Sequence, residues 1–185
     1  MTVARTAHQE NISRFKPMKF NREVNFKMKD TGEKFMRVAL AEARKGMNKG
    51  NRPFGAVIVK DGKILAKAHS TAISGHDLTA HAELDVISKL SHKAKTHDLT
   101  GCTLYATGQP CLMCSTAVAI AKISALVIGA SHDDMPARMR LGRKRPGKVS
   151  YKEIFNEYGI KVKVSHGVLK DEVMKLYAER VKNQR

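Results

Sequence analysis

The sequence predicts an α/β fold in which helices cover both faces of a mixed β-sheet. Two strand-like segments, Gly55–Lys60 and Lys63–His69, flank Asp61 and Gly62, a dipeptide typical of a tight hairpin turn. After this hairpin, segments with helical periodicity alternate with short apolar segments that are typical of strands. Such an alternation indicates a mixed sheet that receives helices on its two sides.

A first helix is predicted to begin at Asp30 and to end before Gly50. Asp30 is followed three residues later by Glu33, as in a capping box, and apolar residues then recur at helical spacing. The preceding residues 1–29 are polar and basic without clear periodicity, so we interpret them as an extended or partly disordered arm. Residues 30–185 are predicted to form one domain, because a chain of 185 residues that is 42% hydrophobic suffices for one core.

The middle of the domain is predicted to contain two helices and two strands. We expect a helix over residues 80–90, a strand over residues 102–107, a helix that begins at Cys111 and a strand over residues 125–130. The helix at Cys111 is apolar nearly all round, so it is expected to be buried. The strand at 125–130 is apolar throughout, which is typical of a strand that is buried on both faces.

The end of the chain is predicted to add a helix, a strand and a further helix. Ser150 and Glu153 form a second capping box, which predicts a short helix that ends at Gly159. Lysines alternate with apolar residues over 160–164, which favours a strand near a sheet edge. An amphipathic helix is predicted over residues 169–182.

The chain is strongly basic, with a formal net charge of +17 from 34 Lys and Arg against 17 Asp and Glu. Such a surplus attracts polyanions at long range, although a basic surface can also serve solubility alone. The basic residues crowd in one predicted loop, which could follow an RNA backbone or be an ordinary solvated loop. They are Arg138, Arg140, Arg143, Lys144, Arg145 and Lys148.

The chain has three cysteines, which do not resemble the disulfide framework of a small secreted domain. A reducing, cytoplasmic location is therefore expected. No segment approaches the length of a membrane span, and the first residues lack the apolar core of a secretory signal. Their arginines and lysines would suit an organelle transit peptide, but Glu10 and Glu23 speak against one.

Two short segments carry the residues of a predicted metal site, TAHAE at 79–83 and QPCLMC at 109–114. Cys111 and Cys114 are three residues apart at the start of a helix, so both sulfurs can face one point. The positive end of that helix favours the thiolates that zinc requires. His81 would be a third ligand and would leave the fourth tetrahedral position to water, which is the arrangement of a catalytic Zn²⁺ site.

Glu83 is predicted to be the catalytic residue that moves protons. It is two residues from His81, and positions i and i+2 of a helix point in different directions, so Glu83 need not bind the metal. Its carboxylate would take a proton from the activated water and pass it to a ring nitrogen and to departing ammonia. By itself, C-x-x-C is also compatible with a redox pair or with two buried thiols. By itself, H-x-E is also compatible with a partly exposed His and Glu on a helix that have no catalytic role. The combination H-x-E…P-C-x-x-C is the signature of zinc nucleobase deaminases.

From residue 35 to about 182 the chain resembles the cytidine-deaminase-like superfamily, in its branch of guanine, tRNA adenosine and cytosine deaminases. The resemblance lies in RPFGAVIVKDG at 52–62, HDLTAHAE at 76–83 and PCLMC at 110–114. It implies a three-layer α/β/α sandwich around a mixed five-stranded sheet, one Zn²⁺ per chain and a homodimer. It further implies that Phe54, Gly55, Ala56 and the backbone near Ala82 line the base pocket.

Two residues depart from the pattern of this branch. Ser70 stands where many relatives carry an Asn that contacts the base, and a hydroxyl reaches less far than an amide and offers fewer donors. Gln109 stands where many relatives carry a Glu before the Pro-Cys pair. We expect both residues to contact substrate. Asp134, or its neighbour Asp133, could offer the extra acidic group that guanine deaminases use.

The substrate indicated by the sequence is a small nucleobase or nucleoside, with a purine such as guanine preferred. Aromatic residues are only 5% of the chain, and no basic segment is interleaved with rings for base stacking. The alternative is a tRNA adenosine-to-inosine deaminase, which HDLTAHAE and GVLKDEV at 167–173 resemble. A catalytically silent, RNA-binding partner subunit is a third hypothesis, against which the presence of Glu83 speaks.

Overall fold

The computed structural model describes residues 22–139 and 149–183. Its elements follow one another in the order predicted for an α/β chain. They are α1 Arg22–Asn48, β1 Gly55–Lys60, β2 Lys63–His69, α2 Ala82–Ala94, β3 Thr103–Gly108, α3 Leu112–Ile120, β4 Ala125–Ala130, a short 3-10 helix Ala137–Met139, α4 Tyr151–Glu157, β5 Lys163–His166 and α5 Lys170–Lys182.

In the described part of the chain, five strands form one mixed sheet in the order β2-β1-β3-β4-β5. β1 is antiparallel to both β2 and β3, whereas β3, β4 and β5 are parallel to one another. The hairpin turns at Asp61 and Gly62, whose φ angles of 50° and 72° are the two positive values that such a turn needs. The predicted mixed sheet and its hairpin are confirmed.

Helices cover the two faces of the sheet, because consecutive strand residues point in opposite directions. Ile58, Leu104 and Leu126 face α2, α3 and α4 in one core. Val57 and Tyr105 point the other way, towards α1, and the ring of Tyr105 lies 5.3 Å from that of Phe35. Helix α5 packs on this second face beside the end of β4. The result is the predicted three-layer α/β/α sandwich.

The first helix is longer than predicted. It begins at Arg22 rather than at Asp30, so Asp30 lies inside the helix and does not cap it. Residues 22–29 contain neither proline nor glycine, so nothing in them stops the helix from extending towards the N-terminus. The last part of the predicted arm is therefore helical, and residues 1–21 lie outside the described residues.

Two other predictions, a capping box and an edge strand, can be compared with the structure. The capping box of Ser150 and Glu153 is confirmed at the start of α4. β5 lies at the sheet edge as predicted, but it covers 163–166 instead of 160–164, because pairing with β4 begins where Lys163 meets Ala125. Among the described residues, no helix is both long and apolar enough to cross a membrane.

Helix α3 is buried on one face only, which corrects the prediction that it is buried all round. Cys114, Val118 and Ala119 are buried. Leu112 and Met113 are each 38% exposed, and Ile120 is 60% exposed. The buried residues of α3 belong to the core that the helix shares with the sheet, whereas these three apolar side chains are exposed.

Glu42 of α1 holds the edge strand β2 through buried charge. One carboxylate oxygen lies 2.9 Å from Nζ of Lys45 and 3.4 Å from Nζ of Lys67, and the other lies 3.2 Å from Nδ1 of His69. Burial disfavours the charged form, but these donors outweigh it and lower the pKa of Glu42 to about 2. His69 immediately precedes Ser70, so this network also fixes the chain that enters the candidate site.

We expect Glu42→Gln to lower the free energy of unfolding at pH 7 by up to about 3 kcal/mol. A carboxylate with a depressed pKa stabilises the fold above its unfolded pKa, so this contribution is complete above about pH 4.5 and lost as the pH falls towards 2. Urea unfolding of both proteins across this range measures the effect. Glu33→Gln, on a more exposed position of the same helix, is the matched control. The assignment would be contradicted if the free energies of unfolding of the wild type and Glu42→Gln differed by the same amount at every pH from 7 to 2.

Candidate active site

The two predicted signature segments meet at the N-termini of two neighbouring helices. His81 is the residue that caps α2, and Cys111 is the residue that caps α3, both in extended backbone conformation. Cys114 lies in the first turn of α3 and is buried. Because each segment ends a loop and begins a helix, its side chains point from the helix ends into the space between α2 and α3.

Three ligand atoms form a compact triangle. Sγ of Cys111 lies 3.5 Å from Sγ of Cys114, and Nδ1 of His81 lies 3.6 Å and 3.4 Å from these two sulfurs. Zinc bonds of about 2.3 Å to sulfur and about 2.0 Å to nitrogen, at tetrahedral angles, separate the ligand atoms by roughly 3.5–3.8 Å. The triangle fits one Zn²⁺, and among the described residues this is the group of His, Cys, Asp or Glu side chains placed to hold a metal.

The structure also decides which atoms face the metal position. Nδ1, rather than Nε2, is the nitrogen of His81 that faces the sulfurs. The contact with Cys114 and the contact with His81 outweigh the effect of burial, and together they lower the pKa of Cys111 to about 4. The same sulfur pair raises the pKa of Cys114. The opposite directions of the two shifts arise because the two sulfurs share one contact, and Zn²⁺ is bound by thiolates.

Glu83 lies in the first turn of α2, next to this triangle but outside it. Its side chain is buried, with 7% of its surface exposed. Burial raises the pKa of Glu83 to about 7, and the negative charge of Cys111 adds to this effect. A carboxyl group with such a pKa can accept and return a proton near neutral pH.

A cavity opens beside the triangle and Glu83. Four residues that the sequence predicts as substrate-binding line it, namely Phe54, Ser70, Ala82 and Gln109. His81 and Cys111 also line it, so the cavity and the metal position share one space. A ring bound in the cavity would therefore contact both the ligand triangle and the carboxyl group of Glu83.

The other three residues predicted to bind substrate lie elsewhere. Gly55 packs directly against the backbone of α1, where a Cβ atom would lie 2.1 Å from the carbonyl oxygen of Ala39. Ala56 is buried in the core between the sheet and α2. The carboxylate of Asp134 accepts hydrogen bonds from the backbone and hydroxyl of Ser131 and pairs with Lys170.

The two residues that depart from the family pattern brace the walls of the cavity. Ser70 is buried, and its hydroxyl donates to the carbonyl oxygen of Ala80 at 3.0 Å, just before His81. Gln109 accepts a hydrogen bond from the backbone of His132 through Oε1 at 3.2 Å. Each polar side chain is thus used to hold a loop of the site in place.

Three residues of the cavity were not identified from the sequence: His132, Met135 and Met139. They follow β4, which runs parallel to β3, and the loops at the carboxyl ends of parallel strands gather at one edge of a sheet. This rule could have pointed to the loop after β4 as part of the cavity.

One residue of the predicted basic loop, Arg138, lies in the 3-10 helix. The remaining five residues lie outside the described residues, namely Arg140, Arg143, Lys144, Arg145 and Lys148.

A family model of the cytidine and deoxycytidylate deaminase zinc-binding region matches residues 29–130, which is more than half of the chain. The chain belongs to this deaminase family. The deaminase is therefore a zinc-dependent hydrolase, and the predicted Zn²⁺ cofactor agrees with the ligand triangle.

Two curated relatives of the deaminase are named tRNA-specific adenosine deaminase. The protein of Aquifex aeolicus (strain VF5) is 39% identical over 125 residues, which are 68% of this chain and 76% of the relative. The protein of Buchnera aphidicola subsp. Schizaphis graminum (strain Sg) is 34% identical over 152 residues, which are 82% of this chain and 94% of the relative.

Solved structures confirm the fold of the deaminase. One, from work on A-to-I editing by tRNA:A34 deaminases at the wobble position of transfer RNA, has a TM-score of 0.65 at 31% identity and covers 77% of this chain and 97% of that chain. Guanine deaminase from Bacillus subtilis has a TM-score of 0.52 at 29% identity and covers 76% of this chain and 94% of that chain. The fold is thus shared by enzymes with different substrates.

Loss of one thiolate is expected to empty the metal position of the deaminase. We expect Cys114→Ala to reduce bound zinc from about one atom per chain to nearly none and to abolish turnover, because two ligands no longer close the site. Metal analysis of the purified protein measures this. Cys102→Ala is the matched control, since Cys102 is a buried free cysteine outside the triangle. Zinc retained in the first variant, or lost in the second, would contradict the ligand assignment.

Proposed function

We propose that this deaminase converts adenosine to inosine in tRNA. The observation that carries the proposal is the similarity to two proteins named tRNA-specific adenosine deaminase, one of which is matched over 94% of its length. The formal net charge of +17 supports a polyanionic substrate, because each Lys or Arg that neutralises a phosphate adds to affinity. This substrate replaces the free guanine that the sequence alone favours.

His81, Cys111 and Cys114 would hold the zinc ion, with Nδ1 and two sulfurs as ligand atoms. When bound, Zn²⁺ lowers the pKa of water and so supplies a nucleophile at neutral pH. In the reaction, the oxygen of water replaces the amino group on C6 of adenine, and ammonia leaves. Glu83 takes one proton from the water, delivers it to ring nitrogen N1, and moves the second proton to the departing amino group.

The walls of the cavity would position the base for this exchange. Phe54 offers an apolar ring, and Ser70 and Gln109 are held by their hydrogen bonds to Ala80 and His132. Burial of Glu83 keeps its pKa close to neutral, which is the range in which one group can serve as both base and acid.

A substrate panel tests the proposal. Ammonia release is measured on guanine, adenine and cytosine, on their nucleosides and on tRNA, and inosine is measured in the recovered tRNA. We expect turnover on tRNA that falls steeply with added salt, because phosphate contacts release counterions. Turnover on guanine without inosine in tRNA would favour the guanine deaminase reading, which the structural similarity to the Bacillus subtilis enzyme supports. Zinc-loaded protein that acts on none of these would favour a silent RNA-binding subunit.

The predicted homodimer and cytoplasmic location belong to the same proposal. The exposed apolar side of α3, formed by Leu112, Met113 and Ile120, offers a surface that a second copy would bury. Cys102, Cys111 and Cys114 form no disulfide in the structure, which suits the reducing cytoplasm. We expect Ile120→Lys to shift the protein from dimer to monomer in sedimentation velocity, whereas Lys122→Ala, an exposed change near the same helix end, leaves the dimer intact.

A further inference from the structure

Two arginines that are far apart in the sequence, Arg52 and Arg180, lie near residues that form or support one wall of the cavity. Arg52 lies two residues before the cavity residue Phe54, and the backbone nitrogen of Phe54 donates to the carbonyl oxygen of Arg52 at 2.8 Å. Arg180 lies in α5, three residues after Tyr177, whose ring packs edge-on against that of Phe54 at 5.6 Å. Arg180 also donates to the carbonyl oxygen of Gly50, two residues before Arg52, so its guanidinium group lies beside the segment that leads to Phe54.

These guanidinium groups have donors without acceptors. Nη2 of Arg180 donates to the carbonyl oxygen of Gly50 at 2.9 Å. Among the described residues, however, buried Nη1 of Arg52 and buried Nε of Arg180 have no hydrogen-bond partner. The carboxylate beside Arg180 in sequence, Glu179, is already engaged by both Nη atoms of Arg44, at 2.8 Å and 3.2 Å. No acid in the described part of the chain neutralises Arg52.

Such an arrangement is costly unless an anion completes it. Buried polar groups are nearly always hydrogen-bonded, and an unpaired buried charge is more expensive than an unpaired neutral group. Burial lowers the pKa of Arg52, and the positive charge of Arg180 lowers it further, which shows that the two like charges act on each other. The positive charge of Arg52 also acts on His81, so Arg52 lies near one of the metal ligands.

We propose that Arg52 and Arg180 form a phosphate site, which holds a backbone phosphate of the RNA strand next to the base in the cavity. The proposal rests on the proposed function, because it assigns the pair to the same substrate. A guanidinium group offers paired N–H donors in a plane and matches a phosphate with two parallel hydrogen bonds. Two such groups beside one cavity wall would fix the position of the strand relative to the buried Glu83.

The shared chemistry is a phosphate oxyanion, which either a polynucleotide or a free nucleotide can supply. The two sources are distinguished by probes: an RNA stem-loop with adenosine in its loop, adenosine 5′-monophosphate, adenosine and inorganic phosphate. Binding is measured by calorimetry on zinc-loaded Glu83→Gln protein, so that no probe is consumed. Arg52→Gln is compared with Arg37→Gln, which removes the same charge from an exposed position that is paired with Glu33.

We expect Arg52→Gln to weaken binding of the stem-loop about 10-fold or more, because charge-assisted hydrogen bonds are lost. The slope of log affinity against log salt should fall by about 1. Arg52→Lys keeps the charge without the paired donors, so its affinity for the stem-loop is expected to lie between those of Arg52→Gln and the Glu83→Gln parent protein. Arg37→Gln is expected to stay within about 2-fold of this parent. Affinity for adenosine, which has no phosphate, should not change.

A second readout does not depend on RNA. In phosphate-free buffer, Arg52→Gln is expected to raise the midpoint of thermal unfolding, because it removes an uncompensated, partly buried charge. Inorganic phosphate should then stabilise the parent protein more than this variant. Loss of monophosphate affinity together with stem-loop affinity indicates a site for any phosphate, and loss of stem-loop affinity alone indicates a phosphodiester. Both results support the phosphate site.

The inference is overturned if Arg52→Gln and Arg37→Gln weaken the stem-loop equally, or if neither phosphate-bearing probe binds more weakly to Arg52→Gln than to the parent. The proposed function is judged separately, by inosine in tRNA treated with the wild-type enzyme. A deaminase that forms inosine but shows equal effects of the two substitutions would keep its function and lose this site.

Discussion

Glu83→Gln is expected to lower kcat by about 10³-fold or more while zinc remains bound, since general acid–base groups contribute about 10²–10⁴-fold. Glutamine has nearly the same size, so it keeps the packing at the start of α2, but it neither accepts nor returns a proton. Because Glu83 lies outside the ligand triangle, metal content should not change. Inosine formation at saturating substrate and zinc per chain are the two measurements.

The matched control for this substitution is Asp85→Asn, which removes another carboxylate from the first turn of the same helix. Asp85 does not line the cavity, and its contact with the hydroxyl of Thr71 is long at 3.4 Å. We expect its turnover to remain within about 3-fold of wild type, since a weak, part-buried contact contributes little. Activity of Glu83→Gln within 10-fold of wild type would remove Glu83 from the role of proton carrier.

Gly55→Ala is expected to lower the free energy of unfolding by about 3 kcal/mol or more, at the upper end of overpacking effects. A Cβ atom at this position would lie 2.1 Å from the carbonyl oxygen of Ala39 and 2.6 Å from the backbone nitrogen of Ala43. Both neighbours are backbone atoms of α1, so no side-chain rotation relieves the clash. Denaturant unfolding of the purified variant measures the loss, and low recovery of folded protein would be its extreme form.

Gly32→Ala provides the control for this prediction, because it makes the same chemical change in the helix that Gly55 contacts. A Cβ atom at residue 32 meets nothing within 4 Å, apart from its own helix. We expect this variant to be about 0.8–1 kcal/mol more stable than wild type, since alanine favours a helix more than glycine does. Equal stability of the two variants would contradict direct packing of β1 on the backbone of α1.

The sequence by itself determined the chemistry of the site, because that chemistry is written in short local patterns. Helix spacing places Cys111 and Cys114 on one side of a helix start, and the two-residue offset keeps Glu83 away from His81. The hairpin was predictable for the same reason, because its tight turn depends on two adjacent residues, Asp61 and Gly62. A signature that joins two segments then linked the pattern to zinc deaminases.

Only the tertiary structure decided which residues surround the substrate, because long-range packing brings together residues that are distant in sequence. His132 reaches the cavity from the loop after β4, and Gly55 leaves the predicted pocket because β1 packs on α1. Helix α5, which packs on Phe54, also brings Arg180 near Arg52, 128 residues earlier in the chain. Local periodicity carries no information about such long-range contacts. The candidate metal ligands could therefore be proposed from the sequence, whereas the walls of the pocket required the fold.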